Sequence, residues 1–174
     1  RGAAKEKIND YHGAIADYTT ALGINSRIID AYNNRGLAKE KINDYLGAVG
    51  DFTEAIRLQP KSFLAYNNRG FARGVLKDYL GSIADFTEAI RINPDYLEAR
   101  INRGNTNGFL KKYENAILDY TEAIRIRPEF GPAYYNRAVA KIQWGRQLDA
   151  CEDLHKAVEL KLINAEKMLQ KYCR

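Results

Sequence analysis

The sequence predicts an all-α fold built as an array of helix-turn-helix units, and three observations carry that prediction. Arg1-Gly2, Arg35-Gly36, Arg69-Gly70, Arg103-Gly104 and Arg137-Ala138 follow one another at intervals of 34 residues (35−1, 69−35, 103−69, 137−103). A period in that range marks a solenoid, in which each unit buries its apolar face against the next. Within each period the apolar residues return with helical spacing. Pro60, Pro94 and Pro128 then stop each period near its end, while Asn43-Asp44, Lys77-Asp78 and Lys111-Lys112 mark a tight turn in its middle.

Counting positions so that the Gly of Arg-Gly is 8, complete units span 29–62, 63–96, 97–130 and 131–164. A partial unit, 1–28, precedes them. Residues 165–174 read as the start of a capping helix, with Met168 and Leu169 placed to cover the last apolar face. At 100° per residue, positions 3, 4, 7, 8, 10, 11 and 14 of the first helix share one arc, and 2, 5, 6, 9, 12 and 13 the opposite one. The first arc carries Ala31, Ala65, Ala99 and Ala133 beside Tyr32, Tyr66 and Tyr134, and small against large lets helix axes approach closely. In the second helix Tyr45, Tyr79 and Tyr113, then Ala48, Ser82 and Ala116, then Phe52, Phe86 and Tyr120, then Ala55, Ala89 and Ala123 form the complementary stripe. These residues are expected in the core.

The hydrophobic share of 45% and charged share of 28% are those of a soluble globular chain, and no apolar run nears the roughly 18 residues of a membrane span. Membrane insertion is not expected. Arg1 enters in mid-unit without an initiator Met, so the chain is expected to be part of a longer protein and a missing signal peptide proves little; a cytoplasmic location is expected. A net charge of +5 invites a nucleic-acid reading. Against it, Arg35, Arg69, Arg103 and Arg137 fall in the packing arc, where a charge needs a partner, and Asp51, Asp85, Asp119 and Asp153 recur at position 23 to supply one. Glu54 with Arg57, Glu88 with Arg91 and Glu122 with Arg125 read as i, i+3 pairs on a solvated face. Nucleic acid is therefore not expected as a partner.

Catalysis needs a nucleophile with a base, paired carboxylates, a metal cluster or a phosphate cradle, and none is visible. His12 and His155 fall on outer arcs of separate units. Cys151 and Cys173 have neither metal-ligand spacing nor the density of a disulfide framework, and are expected to be reduced and structural. The chain is read as having no catalytic residue, metal or cofactor.

The aromatic at position 4, Gly at 8, Tyr at 17, Ala at 20, aromatic at 24, Ala at 27 and Pro at 32 together resemble the tetratricopeptide repeat, over essentially the whole chain. The resemblance implies a right-handed superhelix whose first helices line a concave groove for extended or short helical peptides. Position 6 of that free arc is Asn34, Asn68, Asn102 and Asn136, and a carboxamide can grip a peptide amide at both N–H and C=O. The series is similar to the asparagine ladder of the O-linked N-acetylglucosamine transferases. Asn33, Asn67 and Asn105 stand beside it, and Phe71, Val75, Ile101, Phe109, Tyr135 and Val139 offer apolar contacts, with Gly74 and Gly108 leaving room.

The family's clamp for chaperone carboxylate tails uses cations at positions 2, 5 and 6. Here position 5 holds Asn33, Asn67, Ile101 and Tyr135, position 2 holds Asp30, Leu64, Glu98 and Pro132, and position 6 holds no cation. That clamp is absent. The expected function is a non-catalytic scaffold that binds an extended peptide segment through amides and apolar pockets. The alternatives are self-association through solenoid ends, with Tyr11, Ile15 and Tyr18 partly uncovered, or service as the targeting arm of a larger enzyme.

Overall fold

The computed structural model describes residues 2–6 and 9–173. Arg1, the first member of the Arg-Gly series, and Arg174, at the end of the capping segment, lie outside the described residues. Those residues form eleven α-helices and no strand: α1 (Gly2–Glu6), α2 (Tyr11–Ile24), α3 (Ile29–Lys41), α4 (Tyr45–Leu58), α5 (Phe63–Val75), α6 (Tyr79–Ile92), α7 (Leu97–Phe109), α8 (Tyr113–Ile126), α9 (Gly131–Gln143), α10 (Gln147–Glu159) and α11 (Ala165–Tyr172). The chain divides into two compact units, one ending at Pro94 and the other beginning at Asp95. In the first, each of α1 to α5 packs on the helix that follows it; in the second, α7 to α10 do the same.

Local chemistry sets the boundaries. Asn9, Asn43, Lys77, Lys111 and Lys161 adopt positive φ between 57 and 65° where a helix ends. That left-handed residue turns the chain into the next helix. Asp10, Asp44 and Asp78 then accept from the backbone N–H of Gly13, Gly47 and Gly81 at 2.9 to 3.0 Å, capping α2, α4 and α6. Lys112 stands in the corresponding place before α8, where no side chain makes a cap hydrogen bond.

The core lies between neighbouring helices instead of in one central cluster. Ala48, Phe52 and Ala72 are fully buried together in the first unit, and Ala55 and Ala65 lie in a second patch with Ile56. The second unit repeats the scheme with Ala116, Tyr120 and Ala140, and with Leu97, Ala123 and Ala133. Gly36 and Gly104 are required by close approach: a Cβ there would lie 2.6 Å from the Phe52 ring and 2.7 Å from the Tyr120 ring. Tyr18 is buried, with the backbone of Gly2 against its ring, where the sequence alone left it partly uncovered. Tyr11 and Ile15 are half-buried against the same cluster.

The Arg to Asp pairing expected from the repeat is present. Arg35, Arg69, Arg103 and Arg137 each present Nε and Nη2 as a fork to Asp51, Asp85, Asp119 and Asp153, with Nη2 to Oδ1 distances of 2.6, 2.7, 2.6 and 2.5 Å. A second cation joins three of the buried carboxylates: Lys39 on Asp51 at 2.9 Å, Arg73 on Asp85 at 2.8 Å and Lys141 on Asp153 at 2.7 Å. On Asp119 that place is taken by the Asn107 amide, at 3.4 Å. Three of the arginines also lie over the tyrosine at position 4, at 5.5 to 5.8 Å from Tyr32, Tyr66 and Tyr134. Asp17 pairs with Lys5 at 2.9 Å. The surface pairs Glu54 with Arg57, Glu88 with Arg91 and Glu122 with Arg125 form as expected.

The expectation of reduced cysteines is overturned. Cys151 and Cys173, 22 residues apart, are joined in a disulfide. The reason is topological: α11 turns back onto α10 and brings its C-terminal end beside Cys151, a juxtaposition that spacing alone does not reveal.

Candidate functional site

The residues singled out from the sequence sort into three environments. In the first unit, Asn33, Asn34 and Asn68 are half-buried on α3 and α5, while Phe71 and Val75 remain 45% and 44% exposed. Asn67 is only 7% exposed, and its Nδ2 donates to Asn68 Oδ1 at 3.3 Å. It is a packing residue, not a free groove amide. Ile101 is half-buried and packs against the Leu97–Ala123–Ala133 and Ala116–Tyr120–Ala140 clusters. Asn102 is half-buried, and its carbonyl accepts from the Thr106 hydroxyl at 2.9 Å.

The remaining five residues come together. Asn105, Phe109, Tyr135, Asn136 and Val139 line one cavity of about 370 Å³ in the second unit, with Gly108, Tyr120, Ala140 and Gln143 completing its wall. The Tyr120 hydroxyl donates to Asn105 Oδ1 at 2.7 Å, and Asn136 Nδ2 donates to the same oxygen at 3.3 Å. Two donors converging on one oxygen set the orientation of both amides, so Asn105 Nδ2 remains to donate and Asn136 Oδ1 to accept. Burial pushes the Tyr120 hydroxyl above its ordinary pKa, and the Asp119 charge adds to the shift, so Tyr120 stays protonated as the donor.

Shape follows from sequence here as well. Nothing lies within 4 Å of where a Cβ of Gly108 would be, so the cavity opens beside that glycine, and Phe109 stands at its edge with 75% of its surface exposed. No charged side chain is among the lining residues. The arrangement can hold an uncharged amide between a donor and an acceptor, with the rings of Phe109 and Tyr135 in the same wall to meet an apolar side chain. Tyr120 is the lining residue that sequence reasoning placed only in the core. Its signal was the hydroxyl, since Phe52 and Phe86 fill the same position in the two complete repeats before it.

A second cavity, of about 430 Å³, lies among α1, α2 and α3, and Asn34, Asp30, Asp17, Tyr18 and Ile24 are in its wall. The Tyr18 hydroxyl is pushed up to about 12 by burial and by the Glu6 carboxylate beside it. Glu40, on the free arc of α3, has one carboxylate oxygen sealed from solvent without a hydrogen-bond partner, and burial raises its pKa to about 7 against the pull of Lys41. Asn33 Oδ1 is sealed in the same way. Among the described residues no group of three His, Cys, Asp or Glu is placed to hold a metal ion.

The repeat period, the paired helices and the stripe of small and aromatic residues find their counterpart among known families. The profile of the tetratricopeptide repeat matches residues 29–62, 97–130 and 131–164, more than half of the chain. The chain belongs to the tetratricopeptide repeat family. Its all-α helix-turn-helix fold is shared with solved members. The crystal structure of MamA is 24% identical over 95% of this chain and 90% of that one, with a TM-score of 0.87. MamA from Desulfovibrio magneticus RS-1, residue 41 to the end, is 18% identical, with coverage of 92% and 90% and a TM-score of 0.86. YrrB, described as a tetratricopeptide repeat protein with an unusual peptide-binding site, is 20% identical, with coverage of 98% and 88% and a TM-score of 0.83. At these identities the likeness shows the common fold. No protein of curated function matches the chain in sequence. No helix among the described residues is long and apolar enough to cross a membrane.

Proposed function

We propose that this tetratricopeptide repeat chain is a non-catalytic protein-interaction scaffold, and that it binds an extended peptide segment at the cavity around Asn105 and Asn136. The observation that carries the reading is the amide pair set by Tyr120 inside an uncharged cavity with Phe109 and Tyr135 at its sides. One peptide unit offers the N–H and C=O that Asn136 Oδ1 and Asn105 Nδ2 require. Each such bond contributes only about 0.5 to 1.5 kcal/mol net, so the apolar contacts supply much of the affinity. Val139, Ala140 and Phe109 provide them. Asn34 and Asn68 are assigned the same backbone-gripping role in the first unit, where Phe71 and Val75 are the exposed apolar residues.

The absence of a lysine or arginine from the cavity wall predicts a segment that is uncharged where it enters. The test is an array of short uncharged peptides, each with one apolar anchor, read by fluorescence anisotropy against the wild type and the Asn105→Ala, Asn136→Ala and Tyr120→Phe variants. Binding that falls about tenfold in each variant, with the helical fold retained, is expected. Equal affinity in all four proteins overturns the assignment. YrrB's reported peptide-binding site gives the reading a precedent within the same fold.

A further inference from the structure

We infer that Cys151 and Cys173 form a redox latch that clamps α11 onto α9 and α10, so that a dithiol reductant releases α11 and uncovers the face beneath it. The inference begins with length. A helix of eight residues is well below the roughly 12 to 15 needed for helicity in isolation, so α11 is helical because it is docked. Its docking is modest. Met168, Leu169 and Cys173 pack against the buried cluster of Ala138, Ala150 and Leu154, and Ala165 is fully buried.

Two attachments hold the ends. At its start α11 is tied to α10 by a tight connection in which Lys161 takes positive φ and Leu162 N–H donates to Ala157 O at 3.0 Å. At its end the disulfide joins Cys173 to Cys151 of α10, and the Gln147 side chain donates to Tyr172 O at 2.8 Å. Oxidised, the helix is held at both ends by covalent structure; reduced, its far end depends on one exposed hydrogen bond and a few apolar contacts.

The opening step balances without a cofactor of the protein. A thiolate of the dithiol attacks one sulfur of the Cys151–Cys173 bond, a mixed disulfide forms and the other cysteine leaves as a thiolate. The second thiol of the reductant closes its own disulfide. Two electrons pass to the protein, and the two cysteine thiols carry the two protons. Both cysteines are half-buried instead of sealed, so a small dithiol can reach them. In an oxidising compartment the latch is closed, and in the reducing cytoplasm it is open.

The latch bears on the amide cavity through Tyr135, which lines that cavity and also packs against the Ala138–Ala150–Leu154 cluster under α11. Release of α11 uncovers that shared cluster, so the reduced chain is expected to hold a peptide less tightly. This consequence rests on the peptide-binding reading; the latch itself does not.

The decisive experiment is amide hydrogen exchange on the whole chain, oxidised and then treated with dithiothreitol, with the Cys151→Ser/Cys173→Ser variant alongside. Amides of α11 are expected to exchange on the order of a hundredfold faster once the 22-residue loop is opened, with α9 and α10 still protected. The variant should match the reduced chain under oxidant. Unchanged protection of α11 overturns the latch, as does loss of protection throughout α9 and α10 together, which marks a bond that merely supports the fold. Two alkylatable thiols in the oxidised protein overturn it as well. Peptide binding, measured in both states, then separates the two ideas: release of α11 without any peptide binding in either state leaves the latch standing and removes the proposed function.

Discussion

Glu40 and Gly108 occupy the same position of their repeats, 68 residues apart, or two periods, yet the surfaces around them differ in kind. Glu40 brings a carboxylate with one oxygen sealed from water and unpartnered, while Gly108 brings no side chain and a cavity opens beside it. Position 24 varies between repeats as well, for Phe52 is a fully buried hydrocarbon, whereas Tyr120 adds a hydroxyl that donates to Asn105. Position 9 completes the contrast, with exposed Leu37 and Phe71 in the first unit and the Asn105 amide in the second. Differences at these three positions, on a shared helical frame, accompany the amide-lined pocket of the second unit. Repeats therefore hold their fold in one set of positions and vary their chemistry in another.

The frame gives the largest effects. Asp85 satisfies the guanidinium groups of both Arg69 and Arg73, whereas Asp119 serves Arg103 and the neutral Asn107 amide. Removing one partner of a buried pair costs about 3 to 5 kcal/mol because the other charge is stranded. Asp85→Ala is expected near the upper end of that range and Asp119→Ala near the lower, by urea denaturation. Equal losses would show that the second cation adds nothing to the ladder.

Exchanging the two position-12 residues acts on the pocket. Gly108→Glu places a side chain where nothing now stands within 4 Å, so the helix tolerates it, and the free volume is taken up. Peptide affinity is expected to fall at least tenfold, or about 1.4 kcal/mol, while the melting temperature holds or rises because glycine is a poor helix residue. Retained affinity would move the binding surface away from this cavity.

Glu40 should also respond to pH. Its folded pKa, about 7, lies above its unfolded value of 4.5, so between those values the native state keeps a proton that the unfolded chain has released. Stability attributable to Glu40 is therefore full below pH 4.5, declines as the pH rises, and reaches its lowest value above pH 7. With the partial exposure of the group discounted, the span is about 1 to 2 kcal/mol. Glu40→Gln should raise stability by that amount at pH 8 and leave it unchanged at pH 4. A variant with the same slope from pH 4 to 8 would assign the dependence elsewhere.

How far each of these features was legible depends on the range of the interaction behind it. Arg-Gly periodicity and the prolines report contacts that recur in every unit, so the helix pairs and the Arg35 to Asp51 fork could be read from spacing. Asn67 and Ile101 could not be placed so easily. Both sit at position 5, near the edge of the free arc, where a small rotation of the helix decides between groove and neighbour; Asn67 is sealed, and Ile101 packs on Ala116 and Ala123 clusters. The convergence of Tyr120 and Asn136 on Asn105 depends on side-chain reach between helices, and the pairing of Cys151 with Cys173 depends on one turn of the chain. Neither is periodic.

The smallest effect concerns the turns that join the helices, where asparagine gives way to lysine along the chain. Asn43 takes positive φ at 62°, and asparagine tolerates that region because its short polar side chain can bond locally. Lys77 and Lys111 adopt the same conformation at 65° and 57° without that compensation. Their Cβ atoms crowd the following carbonyl, and each turn carries a strain of about 1 kcal/mol. Glycine relieves it but adds entropy to the unfolded chain, which removes part of the gain. Lys111→Gly is therefore expected to stabilise by about 0.5 kcal/mol, or about 1 to 2 °C of melting temperature, and Asn43→Gly by less. Should Lys111→Gly destabilise, the lysine must make a compensating contact with the neighbouring Trp144, whose side chain shares a small cavity with it.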